Sequence, residues 1–323
     1  MQQVILDVDT GVDDALALML AARHPDVNLR AVTCVAGNTS LEGVVRNTLT
    51  VLDAVGATGV PVAAGAARPL LEEPRDAGHV HGGDGLADLG WEPSARKPEA
   101  IHAVELLRRE ILSSPEPVTL VPLAPMTNIA LLLRAYPEVA ANIGKIVFMG
   151  GSASVGNASP VAEFNVWHDP EAAQIVISSG LPITMYGLDV FYSVAIEAPA
   201  IELLRESDDA GCRLSGHLLT HLAKVNADDF RLTSPGSAGI GDAGAVCAVI
   251  DPEGLVTHRH RVEVSLSNPL TRGQTVVDRR TKASETTLPH GYLSRDSIDV
   301  ALGVDGRRYA ALFLDTIRSH DGK

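Results

Sequence analysis

Four carboxylates crowd into eight residues near the amino end of this chain: Asp7, Asp9, Asp13 and Asp14, in the run Asp7-Val8-Asp9-Thr10-Gly11-Val12-Asp13-Asp14. Asp7 and Asp9 are two apart at the end of an expected strand, so both are expected on one side of it. Gly11 permits a tight turn, and Asp13 and Asp14 then fall in the first turn of an expected helix, where the macrodipole favours negative charge. A like-charge pair at 4 Å costs about 1 kcal/mol in water and about 4 at an effective dielectric near 20. Several such pairs would consume a large fraction of a typical net stability of about 5–15 kcal/mol. Protons or a cation must compensate. An all-oxygen cluster suits a hard cation, Ca²⁺ or Mg²⁺, rather than zinc. The plainer alternative is that Asp13 caps the helix while the other three are solvated.

The elements that must position these groups read as a repeating pattern. Short apolar runs at Val4–Val8, Asn28–Val35, Val60–Ala64, Val118–Pro122, Lys145–Met149 and Pro182–Tyr186 read as strands. Helical stretches at Val12–Arg23, Leu41–Val55, Thr127–Ala135 and Pro170–Ser178 alternate with them. That alternation predicts an α/β fold, a single open and mostly parallel sheet with helices on both faces. In such sheets ligands bind at the strand-to-helix edge that carries the four carboxylates. Further strands are expected near Val262–Ser267 and Gln274–Val277, and a closing helix at Arg307–Ser319. Two Gly-rich stretches, Arg68–Pro98 and Thr233–Gly244, have the character of functional loops. With no repeat and no composition shift along its 323 residues, the chain is expected to be one domain, 1–323.

Composition narrows the function. The formal charge of −14 argues against a nucleic-acid partner, which needs Lys and Arg to neutralise phosphates, and against an anionic membrane surface. Cys34, Cys212 and Cys247 form no CxxC and read as buried free thiols in a reducing, cytoplasmic setting rather than a disulfide or zinc framework. The start MQQVILDVD has no signal-peptide character. The apolar stretch Val118–Leu133 is broken by Pro122 and Pro125 and is no membrane span. Neither GxGxxG after a strand nor GxxxxGK[ST] occurs, so no nucleotide cofactor is implied.

The run DVDTGVDDALAL resembles the N-terminal motif of the nucleoside hydrolases, the Ca²⁺-dependent N-ribohydrolases. The resemblance continues through VAGN at Val35–Asn38, HVHGGDG at His79–Gly85, LVPLAPMTNIA at Leu120–Ala130, VFMGG at Val147–Gly151 and GNASPVAEFNVWHDPEAA at Gly156–Ala173. It implies a Rossmann-like fold and hydrolysis of the N-glycosidic bond of ribonucleosides, the family's role being nucleoside and purine salvage. It implies a Ca²⁺ held by Asp9, Asp14, the main-chain carbonyl of Leu123 and Asp242. It makes Asp9 the base that takes a proton from water as an oxocarbenium-like ribosyl cation develops. Asp13, Asn38, Asn157, Glu163 and Asn165 match ribose-binding residues, and Met149 and Phe164 match apolar residues beside the sugar. Asp7 is expected to orient the ligands. Relatives are commonly homodimers or homotetramers, and the same is expected here.

One position departs from the resemblance. Many purine-accepting members carry His immediately before the last metal-binding Asp, where it protonates the departing base; this chain has Gly241. A positioned general acid is worth about 10²–10⁴-fold. His81 is the first candidate to replace it as a catalytic acid, with His217 and His221, i and i+4 on an expected helix, behind it. His168 is expected to be structural. Two alternatives keep the fold: a non-catalytic nucleoside or ribose sensor, or a hydrolase of a specialised N-riboside such as nicotinamide riboside, whose cationic base leaves without a proton. A haloacid-dehalogenase-type phosphatase also has DxD after a first strand, but it does not account for Gly11, the AEFN run or Asp242.

Overall fold

β1 (Gln2–Val8) is the strand around which the rest is arranged. The computed structural model describes residues 1–227, 234–281 and 297–319. β1 pairs in parallel with β2 (Val27–Cys34) on one side and β4 (Val118–Pro122) on the other. From β2 the sheet continues outward to β3 (Val62–Ala64), and from β4 to β5 (Ile143–Met149) and β6 (Ile183–Tyr186), all parallel. Late in the chain β11 (Ser297–Val304) joins β6 in parallel, β9 (Leu255–Val264) runs antiparallel to β11, and β10 (Thr275–Asp278) forms the edge. The order β10-β9-β11-β6-β5-β4-β1-β2-β3 makes one nine-stranded, mostly parallel sheet. The chain moves one way from β1 to β3 and the other way from β4 onward. Their divergence leaves a crevice at the carboxyl ends of β1 and β4, the place where such sheets bind ligands.

Both faces are covered. Val4, Leu6 and Val8 of β1 pack with α1 (Val12–Arg23), α2 (Leu41–Ala54), α10 (Ala210–Val225), α11 (Ala243–Ile250) and the closing helix α12 (Gly306–Arg318). Ile5, Leu120 and Ile146 pack on the opposite face with α4 (Ala103–Ser113), α5 (Thr127–Ala135) and α7 (Pro170–Ile177). Alternate side chains of one strand thus serve two cores, as the two-residue period requires. α1 is buried all round from Asp14 to Ala21, because α2, α10, α11 and α12 surround it. Its amino end is thereby fixed against the sheet.

The expected strands and helices through Tyr186 are present, and so is the closing helix. Three elements lie where the sequence suggested none or less. α4 occupies 103–113, its charged residues hiding the apolar stripe of Leu106, Leu107 and Ile111. β9 starts at Leu255, seven residues before the expected run, because its outer half is exposed and polar. β11 was not marked by any apolar run, since only Ile298, Val300 and Ala301 of SIDVALGV are buried. Thr233, the first residue of the second Gly-rich stretch, lies outside the described residues. The three cysteines are buried and unpaired. Among the described residues no helix is long and apolar enough to cross a membrane.

One ion pair ties distant helices together. Arg23, at the end of α1, donates to both carboxylate oxygens of Asp209 (2.6 and 2.8 Å) and to the main-chain carbonyl of Ile317 in α12 (2.5 Å). Asp209 in turn caps α10 through the amide of Cys212 at 2.8 Å. Removing one partner strands a buried guanidinium. The substitution Asp209→Ala is expected to destabilise the protein by about 2–4 kcal/mol, combining loss of a cap and of the pair. Urea denaturation measures it, and a change under about 1 kcal/mol would show the pair to be idle.

Candidate active site

Asp9 lies one residue beyond β1, where the strand alternation no longer holds, and it diverges from Asp7. Asp7 turns toward β2 and α5, accepting from Thr33 Oγ1 (2.6 Å) and Asn128 Nδ2 (2.8 Å) at a single oxygen, Oδ1. Its Oδ2 is buried without a partner. Asp9 accepts from the main-chain amide of Asn38 (2.8 Å) and from Asn38 Nδ2 (3.1 Å). The same Nδ2 donates to Asp14 Oδ2 at 3.1 Å, so one amide group holds two carboxylates together. Gly37 lets this happen: a Cβ there would lie 2.0 Å from Asp9 Oδ2. Asp14 closes the turn into α1, accepting from the amides of Asp9 (3.2 Å) and Gly11 (2.9 Å). These donors and the helix amino terminus offset part of the repulsion.

Asp242 arrives from the start of α11 and completes the group. Ligand atoms of Asp13, Asp14 and Asp242 lie within 4.8 Å of one another. Asp9 is not among these three but abuts Asp14 from behind. The electrostatics are severe. Asp7 and Asp14 are pushed up to about 7, by burial in both and by Asp13 as well in Asp14. Burial and neighbouring carboxylates raise Asp9 and Asp242 well above the usual range. Asp13 Oδ1 is buried and accepts no hydrogen bond, and among the described residues no Lys or Arg lines the adjoining cavity. Buried oxygen donors with no cationic side chain to pair them match what a hard divalent cation requires.

That cavity, of about 320 Å³, opens beside the carboxylates. Of the residues singled out in the sequence, Asp13, Asn38, His81, Leu123, Met149, Asn157, Glu163, Phe164, Asn165 and Asp242 line it, whereas Asp9 and Asp14 sit behind the wall. Glu163 is the N-cap of α6 (Phe164–His168), accepting from the amides of Gly151 (2.9 Å), Asn165 (2.8 Å) and Val166 (3.1 Å). Burial nevertheless pushes it up to about 7. Asn165 Nδ2 donates to the carbonyls of Leu123 (2.9 Å) and Met149 (3.2 Å), tying the ends of β4 and β5. Asn157 Oδ1 accepts from the amide of Phe164 at 2.9 Å.

His81 ends the short helix α3 (Gly78–His81) and is buried. Its Nδ1 accepts from the main-chain amide of Val12 at 3.1 Å, which places the proton of the neutral ring on Nε2. Burial lowers its pKa, so the uncharged form is favoured. His221, on α10, is a structural tie: its Nε2 bonds the carbonyl of Val80 at 2.8 Å. Neither His217 nor His168 lines the cavity. Gly241 has φ +53°, and a Cβ there would lie 2.7 Å from Asp13 and 2.9 Å from Phe191. A side chain at that position would strain the backbone and require the Asp13 and Phe191 side chains to shift.

The far wall was not legible in the sequence. It is built by Asp76 and His79 of the first Gly-rich loop, Trp167 of α6, Phe191 and Tyr192 at the end of α8 (Leu188–Phe191), and Leu222 and Asn226 of α10. Read singly, none of these carries a chemical signature. The one available hint was that Phe164 and Trp167 are three apart on one helix and share a side.

The family model described as inosine-uridine preferring nucleoside hydrolase matches residues 4–311. An inosine-uridine preferring nucleoside hydrolase from Leishmania major is 40% identical over 282 residues, covering 86% of this chain and 88% of that protein. A pyrimidine-specific ribonucleoside hydrolase from Shewanella sp. is 38% identical, covering 97% of this chain and 95% of its own length. A solved purine-preferring ribonucleoside hydrolase from Gardnerella vaginalis superposes with a TM-score of 0.87 at 31% identity, with 98% of each chain covered.

The raised carboxylate values fix the sign of a pH effect. These groups bind protons more readily folded than unfolded, so without a cation their contribution is fully favourable below about pH 4 and is lost as pH rises through about 7. Chelator-treated protein is expected to show a falling Tm over that window. Adding Ca²⁺ at a hundredfold excess over its Kd should recover about 2.7 kcal/mol, most visibly at the alkaline end. A Tm that ignores both pH and Ca²⁺ would contradict the reading.

Proposed function

The chain belongs to the inosine-uridine preferring nucleoside hydrolase family, and from that premise we propose that it is a Ca²⁺-dependent hydrolase that releases ribose and free base from ribonucleosides. The observation that carries the reading is the convergence of Asp13, Asp14 and Asp242 beside a cavity that Asn38, Glu163 and Asn165 also line. Asp14 and Asp242 would hold the ion, with Asp9 and the carbonyl of Leu123 completing the set that the resemblance implies and Asp13 beside them. The ion, when bound, supplies Lewis-acid polarisation of a water and of the sugar hydroxyls.

The protein's own groups do the rest. Asp9 takes the proton of the attacking water; its burial and the neighbouring Asp14 carboxylate raise its basicity well above that of an ordinary carboxylate. As the glycosidic bond lengthens, positive charge builds on the sugar, and the carboxylates of Asp13 and Glu163 lie on the cavity wall to stabilise it. The amides are prepared for sugar hydroxyls by what they have left over. Asn38 and Asn165 have spent their N–H groups on carboxylates and carbonyls, leaving Oδ1 to accept. Asn157 has spent Oδ1 and keeps its N–H groups to donate. Glu163, already accepting three amides, is fixed in orientation. Leaving any of these unpaired against a deoxyribose costs about 1–3 kcal/mol. His81 offers an Nε2–H toward the departing base as a neutral hydrogen-bond donor. Inversion at C1′ follows from direct attack by water.

The test is reducing-sugar release from a panel of ribonucleosides and p-nitrophenyl riboside, after chelation and after Ca²⁺ add-back. Ca²⁺-dependent release is expected, and Asp242→Asn should lower it by at least about 10³-fold, as loss of a principal electrostatic group does. Full activity in excess chelator would refute the metal dependence. His81→Ala should lower kcat on a cleaved nucleoside by about 10–100-fold, toward the small end of proton-transfer effects. It should leave p-nitrophenyl riboside, whose leaving group needs no such help, within a few-fold. Equal losses on both would remove His81 from the leaving-group side.

A further inference from the structure

We propose that the leaving group this cavity accepts best is a heterocycle bearing a positive charge in the ring bonded to ribose, an N-ribosylpyridinium or an N-alkylated purine. This rests on the hydrolase reading above and names its substrate class. Three independent observations carry it.

The first is charge. Asp13, Asp76, Glu163 and Asp242 line the cavity, Asp9 and Asp14 stand directly behind, and among the described lining residues no Lys or Arg answers them. One divalent ion among so many carboxylates leaves the cavity negative, and a cationic ring is drawn to it. The second is the far wall. Phe191 and Tyr192 meet edge to face at 5.0 Å and 76°, and Phe164 faces the same space. Trp167, by contrast, already stacks under the Arg75 guanidinium at 3.8 Å. Aromatic faces in an acidic pocket bind a flat cation better than a neutral ring of the same shape.

The third is the supply of protons. Position 241 carries no side chain, and a Cβ there would press on the side chains of Asp13 and Phe191 at 2.7 and 2.9 Å. The Nδ1 of His81 is committed to the Val12 amide, so that ring presents only a neutral N–H. The oxygens of Glu163 accept three main-chain amides. His79 stands exposed at the rim. A neutral purine or pyrimidine leaves as an anion unless it is protonated. A cationic base needs nothing. The C1′–N bond breaks, its electron pair neutralises the ring, and the base departs uncharged. The water oxygen bonds to C1′ and its proton passes to Asp9 and then to solvent.

The experiment compares kcat/KM for N-ribosylnicotinamide, inosine, uridine and p-nitrophenyl riboside on the Ca²⁺-loaded enzyme. It also measures inhibition of p-nitrophenyl riboside cleavage by nicotinamide and by its ring-N-methylated cation. N-ribosylnicotinamide should exceed inosine and uridine by about 100-fold or more, the size of the missing acid. The methylated cation should bind about tenfold tighter than nicotinamide, the size of a cation–aromatic contact. The inhibitor pair reads charge recognition without the greater chemical lability of the cationic nucleoside. Inosine or uridine cleaved within tenfold of N-ribosylnicotinamide, or equal inhibition by the two bases, would overturn the proposal while leaving the hydrolase intact. Failure to cleave p-nitrophenyl riboside or any nucleoside would overturn both.

Discussion

Mutual repulsion among buried carboxylates is the constraint on which this structure turns. Asp7, Asp9, Asp14 and Asp242 have almost no exposed surface, and Asp13 points a bare oxygen into the same space. Such a group is tolerable only where the backbone itself supplies donors and where a cation completes it. The fold meets the first condition with unusual economy. Asn38 bridges Asp9 and Asp14 with one amide, Asn128 bridges Asp7 and the carbonyl of Cys34, and the amino end of α1 faces the cluster. Every one of these donors depends on close backbone approach, which is why Gly37 and Gly65 abut Asp9 and Asn128.

The topology makes the second condition available. Where β1 and β4 send their chains in opposite directions, their carboxyl ends are left uncovered by any crossover. Asp9 follows β1, Leu123 follows β4 and Met149 ends β5, so three adjacent parallel strands deliver main-chain and side-chain oxygens to one crevice. Asn165 then fastens the β4 and β5 ends to each other through their carbonyls. The surrounded position of α1 keeps Asp13 and Asp14 from drifting as the cluster repels. The hydrophobic cores and the charged site are therefore coupled: burying α1 on all sides is what permits its first turn to carry two carboxylates inward.

Legibility in the sequence followed the same division. The parallel sheet was readable because its central strands are continuous apolar runs, and the polar residues that the structure gathers around the cavity were readable because they lie in short contiguous motifs. Asp9, Asn38, Glu163 and Asn165 all announce themselves by neighbours. The edge elements were less readable: β11 buries only three of its eight residues, the outer half of β9 is largely exposed, and α4 looks like a charged stretch. The pairing of Asp7 with Asp9 was misjudged because strand alternation stops at Val8. The cluster of Asp14 and Asp242 also includes Asp13, which the resemblance placed on the sugar. The far wall was harder to read because its residues come from four elements scattered between 76 and 226, and although His79 and Trp167 fall inside quoted motifs, Asp76, Phe191, Tyr192, Leu222 and Asn226 do not.

This difference has a chemical meaning. Groups that would hold an ion and a sugar must be placed within fractions of an ångström, and rigid strand ends with bifurcated amides would place them so. Groups that meet the base need only offer a surface of suitable shape and charge, and side chains on α6, α8, α10 and the first Gly-rich loop can change without disturbing the strand ends. Gly241 is where the two systems touch. Its left-handed backbone feeds Asp242 into the carboxylate group, while the space beyond its missing Cβ belongs to Phe191. A side chain inserted there would push on Asp13 and on Phe191 together. In this chain the space at that position is filled by the side chains of Asp13 and Phe191, and no group there can donate a proton.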